Sequence, residues 1–243
     1  MADWCVTVPF HRPELSGHVV DTILRQEYRP RWLLVVGNGG GVDGLTPDDR
    51  RRVELGGIEL IPMRCPIAHP SQARNQGMLK AVELGADWVC MIDSDDHYGP
   101  QFLSELVLAS RPLRMVGKRP HYVVDNDGAF LVHHEVPTGI SPWLGGAAQA
   151  FEIELAKQLE YPIIAMGEDV LFCLMAHRMG WEIWDTGPHN FVYERRGSGH
   201  QWRRNARSYM KRFCPLEPVE LNLPWFIYPP PGPLGQHTGE SPQ

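Results

Sequence analysis

Four short, largely apolar runs punctuate the first half of the chain: Trp4–Val8, Trp32–Val36, Ile58–Met63 and Trp88–Ile92. Runs of five or six residues with little polar alternation predict strands covered on both faces. Pro9 is expected to stop the first. Between the runs the apolar period lengthens. Leu15, Val19, Ile23 and Leu24 recur at helical spacing within Glu14–Tyr28. Met78, Ala81 and Val82 do the same within Gln72–Leu84, where Gly85 is placed to end the helix. Pro100 suits the first turn of a further helix that reaches Ser110. Strands alternating with helices predict an α/β fold with a mostly parallel central sheet flanked by helices.

The pattern changes after residue 112. Arg114–Val124 and Ala129–His134 flank Asp125-Asn126-Asp127-Gly128, which predicts a small antiparallel hairpin region in the second half. Glu152–Leu159 and Asp169–Met179 read as helices, the latter closed by Gly180. Trp181–Trp184 and Asn190–Tyr193 read as short strands, and Gln201–Phe213 as a basic helix. From Pro215 onward eight of 29 residues are proline, which predicts an extended arm or disordered tail over 215–243, not a further domain.

Composition works mainly by exclusion. The chain has 243 residues, 43% hydrophobic and 21% charged, enough for one large α/β domain or two small ones. A net charge of −6 argues against general affinity for nucleic acid. The five cysteines are scattered without a Cys-x-x-Cys, and Cys5, Cys90 and Cys173 lie inside apolar runs. That usage suits reduced core thiols in a cytoplasmic protein. No basic-then-apolar leader opens the chain, and no apolar run approaches ~20 residues, so neither a signal peptide nor a membrane span is expected.

Candidate chemistry concentrates at Asp93-Ser94-Asp95-Asp96, directly after the Trp88–Ile92 strand. In open α/β sheets, ligands bind beyond the carboxyl ends of strands. Three carboxylates there repel one another unless a cation lies between them. Mg²⁺ or Mn²⁺ carrying a diphosphate meets that need, because both take oxygen ligands and bridge to phosphates.

Further motifs follow one order along the chain. The first strand ends in Pro9-Phe10-His11-Arg12, and the second runs into Val36-Gly37-Asn38-Gly39-Gly40. Ala73-Arg74-Asn75-Gln76-Gly77 opens a helix before the acidic cluster. Leu144-Gly145-Gly146-Ala147-Ala148-Gln149-Ala150-Phe151 and Gly167-Glu168-Asp169-Val170 come after it. With this ordered set, residues 3–204 resemble glycosyltransferases of the GT-A fold, most nearly the large family 2 of inverting enzymes.

The resemblance implies a nucleotide-sugar donor, a UDP-sugar by default, held by residues 1–112. It implies an acceptor saccharide or other hydroxyl-bearing molecule held by residues 113–214. Asp95 and Asp96 become metal ligands, with the late His200 near the metal or the diphosphate. Pro9, Phe10, Arg12, Asn38, Arg74, Asp93, Gln201 and Arg204 become donor contacts. Trp143, Gly145 and Gly146 become acceptor contacts. Asp169 becomes the general base, with Glu168 orienting the acceptor or holding neighbouring backbone. The chemistry suits these residue types: a metal stabilises the departing diphosphate, and one base takes the acceptor's proton in a single, inverting displacement.

Two departures stand out. Many relatives carry an aspartate that reads the nucleotide base where this chain has Asn38, which both donates and accepts hydrogen bonds. Gln201-Trp202-Arg203-Arg204 partly resembles the signature of processive members, but Asn205 replaces its tryptophan. Other functions fit the same residues. A nucleotidyltransferase would use the carboxylates for metal and release pyrophosphate. A binding module would hold donor without turnover. Basic residues interleaved with aromatics over Arg195–Arg212 leave room for a transferase acting on a modified, exposed DNA base.

Overall fold

The computed structural model describes residues 2–39, 45–111, 113–119, 121–132, 139–195 and 216–220. In the first half the elements are β1 (Trp4–Phe10), α1 (Ser16–Arg25), β2 (Trp32–Asn38), α2 (Pro47–Leu55), β3 (Glu59–Cys65), α3 (Pro70–Glu83) and β4 (Trp88–Ile92). Then come β5 (His97–Tyr98), α4 (Phe102–Ala109), β6 (Met115–Gly117), β7 (His121–Asp125), β8 (Gly128–Val132) and β9 (Gly139–Ile140). The rest are β10 (Ala148–Glu152), α5 (Ile153–Ala156), α6 (Glu168–Arg178), β11 (Ile183–Asp185), β12 (Phe191–Glu194) and β13 (Leu216–Pro218).

Eight strands form one sheet in the order β3-β2-β1-β4-β10-β6-β11-β9, and five form a second in the order β13-β8-β7-β12-β5. β3, β2, β1 and β4 are mutually parallel. β10 runs against both β4 and β6. β4 and β6 therefore point the same way, and the start of β10 lies at the edge where they end. That edge is where an α/β sheet presents its ligands.

All four apolar runs form strands, but β3, at the edge of the sheet, is mostly half-exposed instead of covered on both faces. β1, β2 and β4 are buried along their whole length. Alternate residues feed two cores, one per face. Trp4, Val6, Val8 and Phe10 of β1 join Trp88, Cys90 and Ile92 of β4 on one side, under α1 and α4. Cys5, Val89 and Met91 face the other side with Ala73, Met78, Phe172 and Ala176 of α3 and α6. Trp4 stacks on Trp88 with ring centroids 5.1 Å apart. Cys5, Cys65, Cys90 and Cys173 are free and buried.

Several elements differ from the expectation for a local reason. β1 continues through Pro9 to Phe10, because its pairing with β4 ends at Thr7 and the missing N–H of Pro9 forfeits no bond on that side. α2 lacks an apolar stripe and is set by its start. Thr46 Oγ1 accepts the Asp49 N–H while Asp49 Oδ2 accepts the Thr46 N–H, a reciprocal cap followed by Pro47. The glycine- and alanine-rich segment 144–151 contributes a central strand, β10. Within Glu152–Leu159 only the single turn α5 is helical. The hairpin at 125–128 is present as β7–β8. Leu216–Pro218, expected to open the tail, pairs with β8 as an edge strand. The basic helix at 201–213 and the rest of the tail lie outside the described residues. Among those described, no helix is long and apolar enough to cross a membrane.

Gly77 explains how α3 docks. A Cβ built there would sit 2.1 Å from Thr7 Cγ2, so only glycine lets the helix lie this close to β1. Gly77→Ala is expected to lower unfolding stability by about 1–3 kcal/mol through overpacking, read as a lower urea midpoint at unchanged slope.

Candidate active site

The site is organised around Arg74, one turn into α3. The helix starts at His69, whose ring nitrogen Nδ1 accepts the Ser71 N–H, and Ala73, Arg74, Asn75 and Gly77 all face inward. Arg74 is 3% exposed. Its Nη2 donates to Asp93 Oδ1 at 2.8 Å and its Nη1 to Glu168 Oε1 at 3.0 Å. Burial opposes the charge, but Asp93 and Glu168 more than offset it, so the guanidinium pKa lies above its ordinary value. Next to it, Asn75 donates to Tyr161 O and accepts the Tyr161 N–H, at 2.9 and 2.7 Å. Tyr161 stacks on Phe172 of α6 at 4.1 Å and donates its hydroxyl to Gln149 Oε1. Arg74 and Asn75 thus tie the end of β4 to the start of α6.

Asp93, Asp95 and Asp96 form the acidic corner between β4 and β5. Each offers an oxygen, and these three oxygens lie within 4.8 Å of one another. The Asp93 N–H donates to Tyr98 Oη, and that hydroxyl donates to Ala147 O. Asp95 is ion-paired with Arg12. Asp96 is fully buried; its Oδ1 accepts the Glu194 N–H at 3.0 Å. Its Oδ2 is buried and has no hydrogen-bond partner among the described residues. Burial, and secondly Asp95, push the Asp96 carboxyl well above the usual range, while Arg195 pulls it down. An orphaned, buried carboxylate oxygen beside two further carboxylates fits an oxygen-liganded divalent cation. Asp93, Asp95 and Asp96 are the residues that would hold it.

A second layer of side chains fixes this corner, and the sequence reading missed it. His18 Nε2 of α1 lies 2.8 Å from Asp96 O, and His97 Nε2 lies 3.1 Å from Glu194 Oε2. The two imidazoles meet edge to face at 5.1 Å. Burial lowers the His18 pKa and favours the neutral ring. Only the position of His97 and Tyr98 directly after the acids, and of Glu194-Arg195 after a short strand, hinted at these roles.

Asp169 sits opposite, in the first turn of α6. Its Oδ2 accepts the Gly146 N–H at 2.9 Å and its Oδ1 accepts the Val170 N–H at 2.8 Å. Burial first, then Glu168, raise its pKa above 3.8. Gly146 is tight: a Cβ there would sit 3.0 Å from Asp169 Cβ and 3.4 Å from Arg74 Nη2. Gly145 donates its N–H to Lys118 O at 2.8 Å, which anchors the loop.

Pro9 is buried, and Phe10 is packed wholly into the core, so neither presents surface at the corner. Trp143 is half-buried and packs against the core beneath α3 and α6. Asn38 stands at the end of β2, 9% exposed, and its Oδ1 has no partner among the described residues. His200, Gln201, Trp202 and Arg204 lie outside the described residues, as do His133 and His134.

No protein-family model matches the chain, and no curated protein sequence matches it significantly. Solved structures do. TarS from S. aureus (residues 1–349), solved with UDP-GlcNAc, superposes over 84% of this chain with a TM-score of 0.62 at 15% identity. The mannosyltransferase PcManGT from Pyrobaculum calidifontis, solved with GDP-Man and Mn²⁺, covers 80% with a TM-score of 0.58 at 19% identity. GalNAc-T7, solved with UDP, GalNAc and Mn²⁺, covers 83% with a TM-score of 0.63 at 14% identity. The fold is GT-A. The chain spans 61%, 58% and 45% of those three chains. Within the GT-A frame, the acidic corner, Arg74 and the start of α6 share the carboxyl edge of the larger sheet.

Two outcomes follow from these contacts. Arg74→Met leaves Asp93 and Glu168 without their buried counter-charge and is expected to destabilise the fold by about 3–5 kcal/mol in urea titrations. Asp169 has a folded pKa above its unfolded one, so its favourable contribution is complete below the unfolded value and is lost as pH rises through the folded value. Relative to wild type, Asp169→Asn should therefore gain stability as pH is raised from ~4 to ~8, measured by thermal melts across that range.

Proposed function

We propose that the chain is a glycosyltransferase that moves a sugar from a nucleoside diphosphate to an acceptor hydroxyl with inversion. The observation that carries the reading is the Arg74 bridge from Asp93 to Glu168, which sets a cation-type carboxylate cluster across one sheet edge from the first turn of α6, where Asp169 is held by the Gly146 and Val170 amides. The GT-A fold supports it, as do the nucleotide sugars and Mn²⁺ in the structures this chain is similar to.

In this reading Asp93, Asp95 and Asp96 hold Mn²⁺ or Mg²⁺, which supplies charge neutralisation for a leaving diphosphate. Asp169 is the base. Its raised pKa brings it nearer to neutral pH, where a general base works best, and the Gly146 and Val170 amides fix its orientation. The acceptor hydroxyl gives its proton to Asp169 as its oxygen bonds to the anomeric carbon. The bond from that carbon to the phosphate oxygen breaks, and the nucleoside diphosphate leaves with the electron pair. Attack from the face opposite the leaving group inverts the centre. Glu168, held by Arg74, keeps the first turn of α6 in register with the corner. Residues 1–112 hold the donor and 113–214 the acceptor. Asn38, with an acceptor atom to spare at the end of β2, contacts the base; UDP is the first candidate and GDP the second.

The test is product analysis with UDP- and GDP-sugars in Mn²⁺. Release of nucleoside diphosphate is expected; release of pyrophosphate would instead indicate nucleotidyl transfer. Asp169→Asn should lower turnover by roughly 10²–10⁴-fold while donor binding persists. Full turnover in both Asp95→Ala and Asp169→Asn would sink the mechanism.

A further inference from the structure

Two of the three carboxylates of the corner are ion-paired, each with its own guanidinium. Arg74 donates to Asp93 and Arg12 is paired with Asp95, while the half-buried Arg195 acts on Asp96 through its charge. The pairing of Arg12 differs from that of Arg74. Arg74 is locked by two acceptors from different elements and is almost fully enclosed. Arg12 lies just past β1, where the chain turns into a 3₁₀ segment over Pro13–Leu15. Its side chain keeps 19% of its surface exposed, and its Nε–H is buried without an acceptor among the described residues. Arg12 is thus paired with one of the three carboxylates that a metal at this corner would use.

A divalent cation placed among these oxygens would lie against the guanidinium on Asp95, and like charges at that range repel strongly. Two arrangements relieve the conflict: Arg12 leaves, or an anion arrives to sit between them. A diphosphate does both, because its oxygens ligate the metal and accept planar guanidinium pairs. We propose that Arg12 holds the cation's place on Asp95 in the ligand-free protein and transfers to the donor's phosphate oxygens when metal and nucleotide bind together. This rests on the corner being a cation site. Its consequence is that metal and nucleotide each bind weakly alone and strongly together, with a reciprocal coupling set by Arg12.

Mn²⁺ binding measured by the electron paramagnetic resonance signal of free Mn²⁺ tests this, using the whole chain. Wild type, Arg12→Gln and Arg12→Lys are titrated alone and with saturating UDP or GDP, after circular dichroism has shown that each variant is folded. Without nucleotide, Arg12→Gln should bind Mn²⁺ about tenfold more tightly than wild type, with Arg12→Lys between them. Nucleotide should tighten Mn²⁺ binding in wild type about tenfold or more, and much less in Arg12→Gln. Adding Asp95→Asn to Arg12→Gln should abolish its gain. If wild type binds Mn²⁺ with nucleotide but Arg12→Gln binds Mn²⁺ alone no better than wild type, the exchange is wrong and the cation site stands. If no protein binds Mn²⁺ under any condition, the cation site itself is wrong, and the exchange falls with it.

Discussion

A buried positive charge that must satisfy two acids on different elements is the constraint from which the rest of the site follows. Arg74 cannot lose its charge, and so little of it reaches water that Asp93 and Glu168 have to stay where they are. That demand fixes the end of β4 against the start of α6, elements 75 residues apart in sequence by the positions of these two acids. Asn75 repeats the tie one residue later with neutral hydrogen bonds to the Tyr161 backbone. A guanidinium alone would leave the approach to α6 free to swivel. The amide clamp and the Tyr161–Phe172 stack remove that freedom.

The antiparallel strand β10 is the second requirement. By running against its two neighbours it brings its own beginning, and the loop before it, to the edge where β4 and β6 end. Gly146 then reaches Asp169 with a main-chain N–H, which a side chain at that position would obstruct. Among the described residues the site is therefore assembled mainly from strand ends and helix starts. Such elements hold side chains more exactingly than loops do.

Much of this was legible in the chain. Unbroken apolar runs gave β2 and β4 because both faces of those strands are covered, so no polar alternation interrupts them. The acidic cluster and the Ala-Arg-Asn start stood out because charge next to a buried strand is conspicuous. α2 and β10 were not legible. One is held by caps instead of an apolar stripe, and the other is rich in small residues whose strand identity comes from the neighbours it fits between. The brackets behind Asp96 were invisible for another reason. His18, His97 and Glu194 lie far apart in sequence, and only the fold brings them together. Phe10, which stands in the motif at the end of β1, is packed into the core.

The acidic turn also has a place in the architecture. It leaves the eight-stranded sheet at Ile92 and enters the five-stranded sheet at His97, and Asp96 is pinned to β12 of that second sheet by the Glu194 N–H. Asp93 follows the last residue of β4 and Asp96 precedes the first of β5, so the acidic turn is a covalent link between the two sheets. An ion held by both carboxylates would therefore brace the joint between the two sheets.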